Sequence, residues 1–153
     1  MLVHRSLAPL AVIVFLAGCA SMRAHEPAAT PDITFDLSAS PERARNEIAA
    51  AFAANGLPIA TSQPGVVEYH GARERGILGY YEVFARAVIV PLDCGTRITM
   101  FGEETKYPNA TSLDGTPTRI GPSSTGRARD VWAKMQLIAG RLRGDSLSRV
   151  RTH

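Results

Sequence analysis

Residues 77–107 read ILGYYEVFARAVIVPLDCGTRITMFGEETKY. The first half, Ile77 to Leu92, is rich in β-branched and aromatic residues, which favours one long bent strand or two short ones. Asp93-Cys94-Gly95 has the composition of a hairpin turn, and Thr96 to Tyr107 alternates as the partner strand. The stretch therefore predicts an antiparallel hairpin. The two faces of its second strand are expected to carry Arg97, Thr99, Phe101 and Glu103 on one side and Ile98, Met100 and Gly102 on the other.

A helix is predicted on the N-terminal side of this hairpin, after a short alternating strand at residues 33–37. Ser40 has the right chemistry for an N-cap, and Pro41 is favoured at the first helical position. Gly56 is placed as the C′ residue of a Schellman ending. We therefore expect a helix at about 41–55. Its apolar stripe consists of Ala44, Ile48, Ala51 and Phe52.

Two short strands are predicted between this helix and the long hairpin. Residues 58–62 and 66–70 flank the turn Gln63-Pro64-Gly65, which is a hairpin signature. Residues 71–76 are rich in charge and are expected to form a loop.

The C-terminal part is predicted to be a long loop followed by a helix. Residues 108–125 are mostly Pro, Asn, Thr, Ser and Gly, so we expect either a mobile functional loop or plain disorder. Apolar residues then recur at helical spacing from Gly126 to Arg143, and Gly144 is expected as C′. The stripe consists of Ala128, Val131, Trp132, Met135, Ile138, Ala139 and Leu142.

The predicted order is β-α-β-β-β-β-α, which indicates an α+β fold. Each helix has one apolar stripe, so both are expected on one face of an antiparallel sheet, in two layers. The order is similar to that of helix-grip-like domains, which occur in some lipoproteins of the outer-membrane barrel-assembly machinery. The expected organisation is a single domain at residues 32–144 with a basic C-terminal tail at 145–153.

The first eighteen residues have the composition of an export signal. Arg5 gives the start a positive charge, and residues 7–18 are almost wholly apolar. Twelve helical residues cover about 18 Å, less than the roughly 30 Å hydrocarbon core of a bilayer. We therefore predict a signal peptide at residues 1–18 rather than a membrane-spanning helix.

The end of this segment, Leu16-Ala17-Gly18-Cys19, resembles the lipobox of bacterial lipoproteins. The resemblance covers residues 1–19 and implies that cleavage falls before Cys19. It also implies that Cys19 carries a thioether-linked diacylglycerol and an amide-linked acyl chain such as palmitate, which together tether it to the membrane. Ala20 follows in place of the aspartate typical of inner-membrane retention, which favours the periplasmic face of the outer membrane. Residues 19–31, with the lipidated cysteine at their head, are predicted to be a flexible tether to the domain.

Composition and charge narrow the class of protein. The chain has 153 residues, 45% of them apolar and 20% charged, which is typical of a globular domain. Residues 119–153 carry eight basic and two acidic side chains, whereas residues 19–118 carry eight basic and twelve acidic ones. The basic end is either a solvated helix face or a contact for anionic lipid or an acidic partner. Nucleic-acid binding is not expected, because no basic stripe with interleaved aromatic residues is present.

Motifs for catalysis or for metal and cofactor binding are weak. No two of the four histidines have metal-ligand spacing, so we expect no metal and no cofactor. With Cys19 acylated, Cys94 is unpaired and is expected either in a hairpin edge or core, or paired with another chain. It could act as a nucleophile with His70 as base only if the fold brings the two together. Trp132 is predicted to be a core anchor, and one of Tyr80 and Tyr81 is expected to be exposed.

These observations favour a non-catalytic, lipid-anchored interaction or scaffold module of the cell envelope, with an envelope protein as partner. The alternative is a carrier for a small apolar ligand or lipid, in a cavity lined by residues such as Phe84, Met100 and Met135. An envelope hydrolase that uses Cys94 or a loop serine is the third hypothesis.

Overall fold

The computed structural model describes residues 32–150, and side chains as far as residue 144. The predicted signal peptide, Cys19 and the tether, at residues 1–31, lie outside the described residues, as do residues 151–153 at the end of the predicted tail. The elements in chain order are β1 Ile33–Leu37, α1 Pro41–Ala54, β2 Ile59–Gln63, β3 Val66–His70, β4 Glu74–Gly76, β5 Gly79–Leu92, β6 Gly95–Tyr107, β7 Thr116–Arg119 and α2 Gly126–Val150.

The hairpin of β5 and β6 forms the centre of the sheet, as the opening stretch of sequence indicates. The two strands pair from Tyr80 opposite Tyr107 to Leu92 opposite Gly95, with Asp93 and Cys94 as the two-residue turn. We call the end of the sheet at this turn the Cys94 end, and the opposite end the Tyr107 end. Towards the Cys94 end the strand order is β1-β6-β5-β3-β2, whereas near the Tyr107 end β7 pairs with β6 and β4 with β5.

Helix α1 begins and ends as its sequence predicts. The Ser40 side chain accepts a hydrogen bond from the backbone N–H of Arg43, which caps the first turn. At the other end the N–H of Leu57 donates to Phe52 O at 3.0 Å, and Gly56 has a φ of +71°. This is a Schellman motif, and the positive φ explains why glycine occupies C′.

Helix α2 continues beyond the predicted end. Gly144 lies inside a helix that runs to Val150, so the prediction that it is a C′ residue is wrong. A glycine in a helix interior is tolerated at a modest cost, and the sequence after it continues with helix-compatible polar residues. The predicted tail at 145–153 therefore starts within the helix.

Two strands were not predicted. Residues 71–76 were expected to form a loop, but Glu74–Gly76 pairs with the start of β5, so β5 begins at Gly79 and Ile77-Leu78 form a turn. Residues 108–125 were expected to lack structure, but Thr116–Arg119 pairs with β6. Strands of three and four residues give too short a pattern to detect, and neighbouring strands impose their conformation.

Both helices pack on one face of the sheet, which confirms the predicted α+β fold. Every residue of the α2 stripe is buried, together with Ala44, Ile48 and Phe52 of α1. Alternate residues of β5 and β6 complete this core, namely Val83, Ala85, Ala87, Ile89, Ile98 and Met100. The remaining side chains of these strands lie on the opposite face of the sheet.

Candidate functional site

The face of the sheet that bears no helix is the candidate site, and we call it the outer face. It carries the side chains of β3, β5 and β6 that alternate with the core residues. A depression of about 290 Å³ lies in its middle. The depression is lined by Glu68, His70, Phe84, Arg86, Phe101, Glu103 and Thr105.

Two half-buried phenylalanines, Phe84 and Phe101, form the apolar part of this depression, and charged or polar side chains contact their rings. The guanidinium of Arg119 stacks on the ring of Phe101 at 3.7 Å from its centroid, and Arg86 lies over the same ring at 5.8 Å. The Phe84 ring contacts the His70 ring edge-on, with centroids 4.8 Å apart. Cation–π and edge-to-face contacts of this kind hold the rings in place, and both rings remain partly exposed.

In the polar part of the depression, the Glu68 carboxylate links the side chains of Arg86 and His70. Its Oε1 accepts hydrogen bonds from Arg86 at 2.9 Å and from His70 Nε2 at 2.8 Å. Partial burial acts to raise the pKa of Glu68, but the hydrogen bonds from Arg86 and His70 outweigh it, and the net pKa is lowered. The carboxylate is therefore ionised at neutral pH and fixes both of its partners.

A second network lies on the outer face towards the Tyr107 end. Glu82 accepts hydrogen bonds from Arg73 at 2.9 Å and from the Tyr107 hydroxyl at 3.0 Å, while Arg73 also stacks on the Tyr107 ring at 3.7 Å. Burial and the adjacent Glu82 carboxylate raise the pKa of Tyr107, against the opposing effect of Arg73. This tyrosine is therefore a neutral hydrogen-bond donor and not a nucleophile at physiological pH.

The structure separates the two residues of the hydrolase hypothesis. Cys94 is an exposed thiol in the β5–β6 turn, whereas His70 is opposite Phe84 in the β3–β5 pairing. Eight residues of β5 separate Phe84 from Leu92, which is roughly 27 Å of strand. The sequence placed Cys94 correctly at a hairpin edge, but the fold does not bring it to a base.

The residues named for an apolar carrier cavity are also not brought together. Met100 and Met135 are fully buried in the core between helices and sheet, whereas Phe84 lies on the outer face. Trp132 is buried, as predicted for a core anchor. Tyr80 and Tyr81 lie on opposite faces as expected, but both are half-buried, so the prediction that one of them is exposed is wrong.

Three of the basic residues of the C-terminal part lie on different parts of the domain. Arg119 lies on the outer face, Arg127 is ion-paired with Glu74 near the start of α2, and Arg143 donates to Thr34 O beside β1. The fold therefore separates these three charges, which lie close together in the sequence.

Two structural features are absent from the described part of the chain. No helix between residues 32 and 150 is long and apolar enough to cross a membrane. Over the same residues, no three His, Cys, Asp or Glu side chains are grouped so that they could bind a metal ion.

Comparison with protein-family models, with curated proteins and with solved structures finds no match for this chain. The outer face is a site that local sequence patterns did not predict. One feature of the sequence could have indicated this face, because Phe101 shares a strand face with Arg97, Thr99 and Glu103. An aromatic side chain on an otherwise polar face has no core to fill and is available for contact.

Proposed function

We propose that this protein is a lipid-anchored, non-catalytic interaction module of a bacterial cell envelope. Acyl chains on Cys19 would anchor it, with the periplasmic face of the outer membrane as the favoured location. The folded domain would bind an envelope protein partner on its outer face.

The observation that carries this proposal is the open cluster of Phe84 and Phe101 on the helix-free face. Both rings are fixed by stacked or ion-paired groups, so little side-chain entropy is lost when a partner covers them. Aromatic and arginine side chains in a partly desolvated depression are the residue types that dominate protein–protein affinity.

The N-terminal segment supports the anchor. A charged start, a short apolar run and Leu16-Ala17-Gly18-Cys19 occur in the order of a lipoprotein signal. Two or more acyl chains hold a protein on a membrane firmly, whereas one chain gives marginal binding. Intact-mass analysis of the mature protein tests this directly: a thioether-linked diacylglycerol and an N-acyl group on Cys19 are expected, and a free thiol there would overturn the anchor.

Photo-crosslinking in intact cells tests the binding face. A benzoyl-phenylalanine placed at Thr99, on the outer face, should give a reproducible adduct with one envelope protein. The matched control is Gln136, which is exposed on α2 on the opposite side of the domain. Adducts from Gln136 but not from Thr99, or from neither, contradict the proposal.

A substitution at the centre of the face tests its energetics. Phe101→Ala should lower the adduct yield from Thr99 about tenfold or more, since removal of a central aromatic anchor costs at least ~1.4 kcal/mol. Arg97→Ala, at an exposed pair near the rim, should change the yield little. Equal yields from the wild type and Phe101→Ala would rule out the depression as the contact.

A further inference from the structure

The Tyr107 end of the sheet carries three aliphatic side chains that contact almost nothing. Ile77 and Leu78 are 101% and 97% exposed, and Leu113 is 92% exposed. Scattered exposed leucines are common on soluble proteins, but a pair of aliphatic residues at a hairpin tip, with a third in a loop at the same end of the sheet, is an apolar protrusion.

The β4–β5 turn directs Ile77 and Leu78 outward. They are the two residues between the paired Gly76 and Gly79, so they form the tip of this hairpin. Gly79 has a φ of +134°, and a Cβ there would lie 2.5 Å from the carbonyl oxygen of Tyr107. Glycine is therefore required for the turn to lie against the end of β6, and the tip projects beyond the sheet.

Leu113 is fixed at the same end. Arg73 Nη1 donates to the carbonyl oxygens of Ala110 and Ser112 at 2.8 and 2.9 Å, which ties the β6–β7 loop to the residue preceding β4. A Cβ at Gly115 would collide with the Tyr107 ring, so the loop packs closely on the strand. The loop that carries Leu113 is therefore ordered by specific contacts.

The groups just behind these side chains suit the boundary of a membrane. Tyr80 and Tyr107 are opposite each other in the β5–β6 pairing, and both are half-buried. Tyrosine is enriched at membrane–water interfaces, with its ring at the headgroup level. The nearby carboxylates of Glu74 and Glu82 are each paired with an arginine, so they do not oppose anionic headgroups.

The direction of the chain allows the predicted anchor to lie at this same end. β1 runs from Ile33 opposite Met100 to Leu37 opposite Thr96, so the chain enters it from the direction of the Tyr107 end. Seven residues of β6 separate Met100 from Tyr107, about 23 Å. The twelve residues between Cys19 and Asp32 can span about 40 Å, which is enough for Cys19 to reach the plane of the protrusion.

We propose that Ile77, Leu78 and Leu113 form a second membrane contact, immersed in the bilayer interface that holds the acyl chains of Cys19. The inference rests on the proposed lipid anchor. It adds a defined orientation, with β5 and β6 standing away from the bilayer and the Cys94 end pointing outward. The contact is apolar rather than electrostatic, because exposed Arg75 and Asp114 beside it have opposite charges.

Depth measurement on the full acylated protein tests this orientation. In a Cys94→Ser background, Leu78→Cys and Asp93→Cys each receive a nitroxide, and the protein is reconstituted in phosphatidylethanolamine–phosphatidylglycerol vesicles. The matched control, Asp93, is also in a two-residue hairpin turn, at the opposite end of the same strands. The label at 78 should be at least fivefold less accessible to an aqueous nickel chelate than the label at 93, and 0.5 M salt should not change this ratio.

Two other results of this experiment would overturn the membrane contact, the second of them together with the anchor. Vesicle flotation with equal chelate accessibility at 78 and 93 overturns the membrane contact and leaves the anchor intact; a protein partner for the protrusion would then be the alternative. Loss of flotation, together with an unmodified Cys19 by mass, overturns the proposed anchor and this inference with it. Ile77→Asn should make the label at 78 more accessible without altering the fold, since Ile77 contacts no core residue, and no change in accessibility contradicts immersion of the turn.

Discussion

At the scale of single residues, this domain is defined by hydrogen bonds between polar atoms that come from distant parts of the sequence. Thr96 is fully buried at the start of β6, and its hydroxyl donates to Ala39 O at 2.6 Å. This hydrogen bond joins the segment between β1 and α1 to the Cys94 end of the sheet. A buried carbonyl that loses its donor keeps the full cost of its desolvation.

Thr96→Val should therefore destabilise the domain by about 1–3 kcal/mol, because it keeps the shape of the side chain and removes the donor. Thr96→Ser keeps the donor and should cost less than Thr96→Val. Urea unfolding followed by circular dichroism measures both. Equal stability of the wild type and Thr96→Val would show that Ala39 O needs no partner.

Glu68 makes the stability of the outer face depend on pH. Its pKa is lowered in the folded protein from an ordinary value of 4.5, so its ionised form stabilises the native state above that pH. This stabilisation is lost as the pH falls from about 4.5 through the lowered folded pKa. Glu68→Gln should therefore destabilise by about 1 kcal/mol at pH 7, and the difference from wild type should disappear in acid.

The matched control for Glu68 is Asp36. The hydrogen bond from Arg97, together with its charge, lowers the pKa of Asp36 against the opposing effect of desolvation, but the pair is solvent-exposed. Asp36→Asn should therefore change stability much less than Glu68→Gln at pH 7. Thermal melts at pH 7 and pH 3 compare the two variants, and a constant difference between wild type and Glu68→Gln across this range would refute the linkage.

At the scale of elements, the C-terminal end of α2 differs from the end that local residue propensities predict. Gly144 has the chemistry of a helix terminator, yet it is helical and is not among the described glycines with positive φ. A Cβ at this position meets nothing within 4 Å.

Gly144→Ala should therefore stabilise the domain by about 0.5–1 kcal/mol, because alanine lowers the entropy of the unfolded chain without a clash. If Gly144 were a C′ residue with positive φ, the same substitution would be destabilising. Gly140→Ala is the internal control, since Gly140 is also helical with open space around it. Differential scanning calorimetry gives the sign for both variants.

At the scale of the whole molecule, the fold separates three surfaces. The helices cover one face of the sheet, the outer face is open to a partner, and the Tyr107 end carries the aliphatic protrusion. With the protrusion at a bilayer, the strands of the central hairpin would stand away from the membrane, so the outer face would be accessible from the side. The Cys94 end would then be farthest from the membrane.

The count of reactive thiols in the native mature protein checks the modification of Cys19, on which this arrangement depends. The chain has two cysteines, and a thioether at Cys19 leaves Cys94 alone to react. Because Cys94 is exposed, we expect one equivalent of rapidly reacting thiol per folded chain, and the same number after denaturation. Cys94→Ser should give none, whereas a second thiol released on denaturation would show that Cys19 is unmodified.

The sequence by itself determined the elements whose pattern is long enough to read. The α1 stripe with its Ser40 cap and Gly56 ending, the α2 stripe and the long hairpin about Cys94 all follow from local periodicity and capping chemistry. Two single-stripe helices then require one shared sheet face, which is why the α+β class was predictable. The lipobox-like ending at Cys19 is likewise a local signal, although it lies outside the described residues.

Only the tertiary structure decided which residues meet. β4 and β7 are too short to show a period, and they form because β5 and β6 offer them unpaired backbone groups at the Tyr107 end. The depression around Phe84 and Phe101 requires the register of three strands, and the protrusion of Ile77 and Leu78 requires the turn that β4 creates. Local pattern specifies the conformation of a segment, whereas a site or a surface depends on long-range pairing that no window of sequence contains.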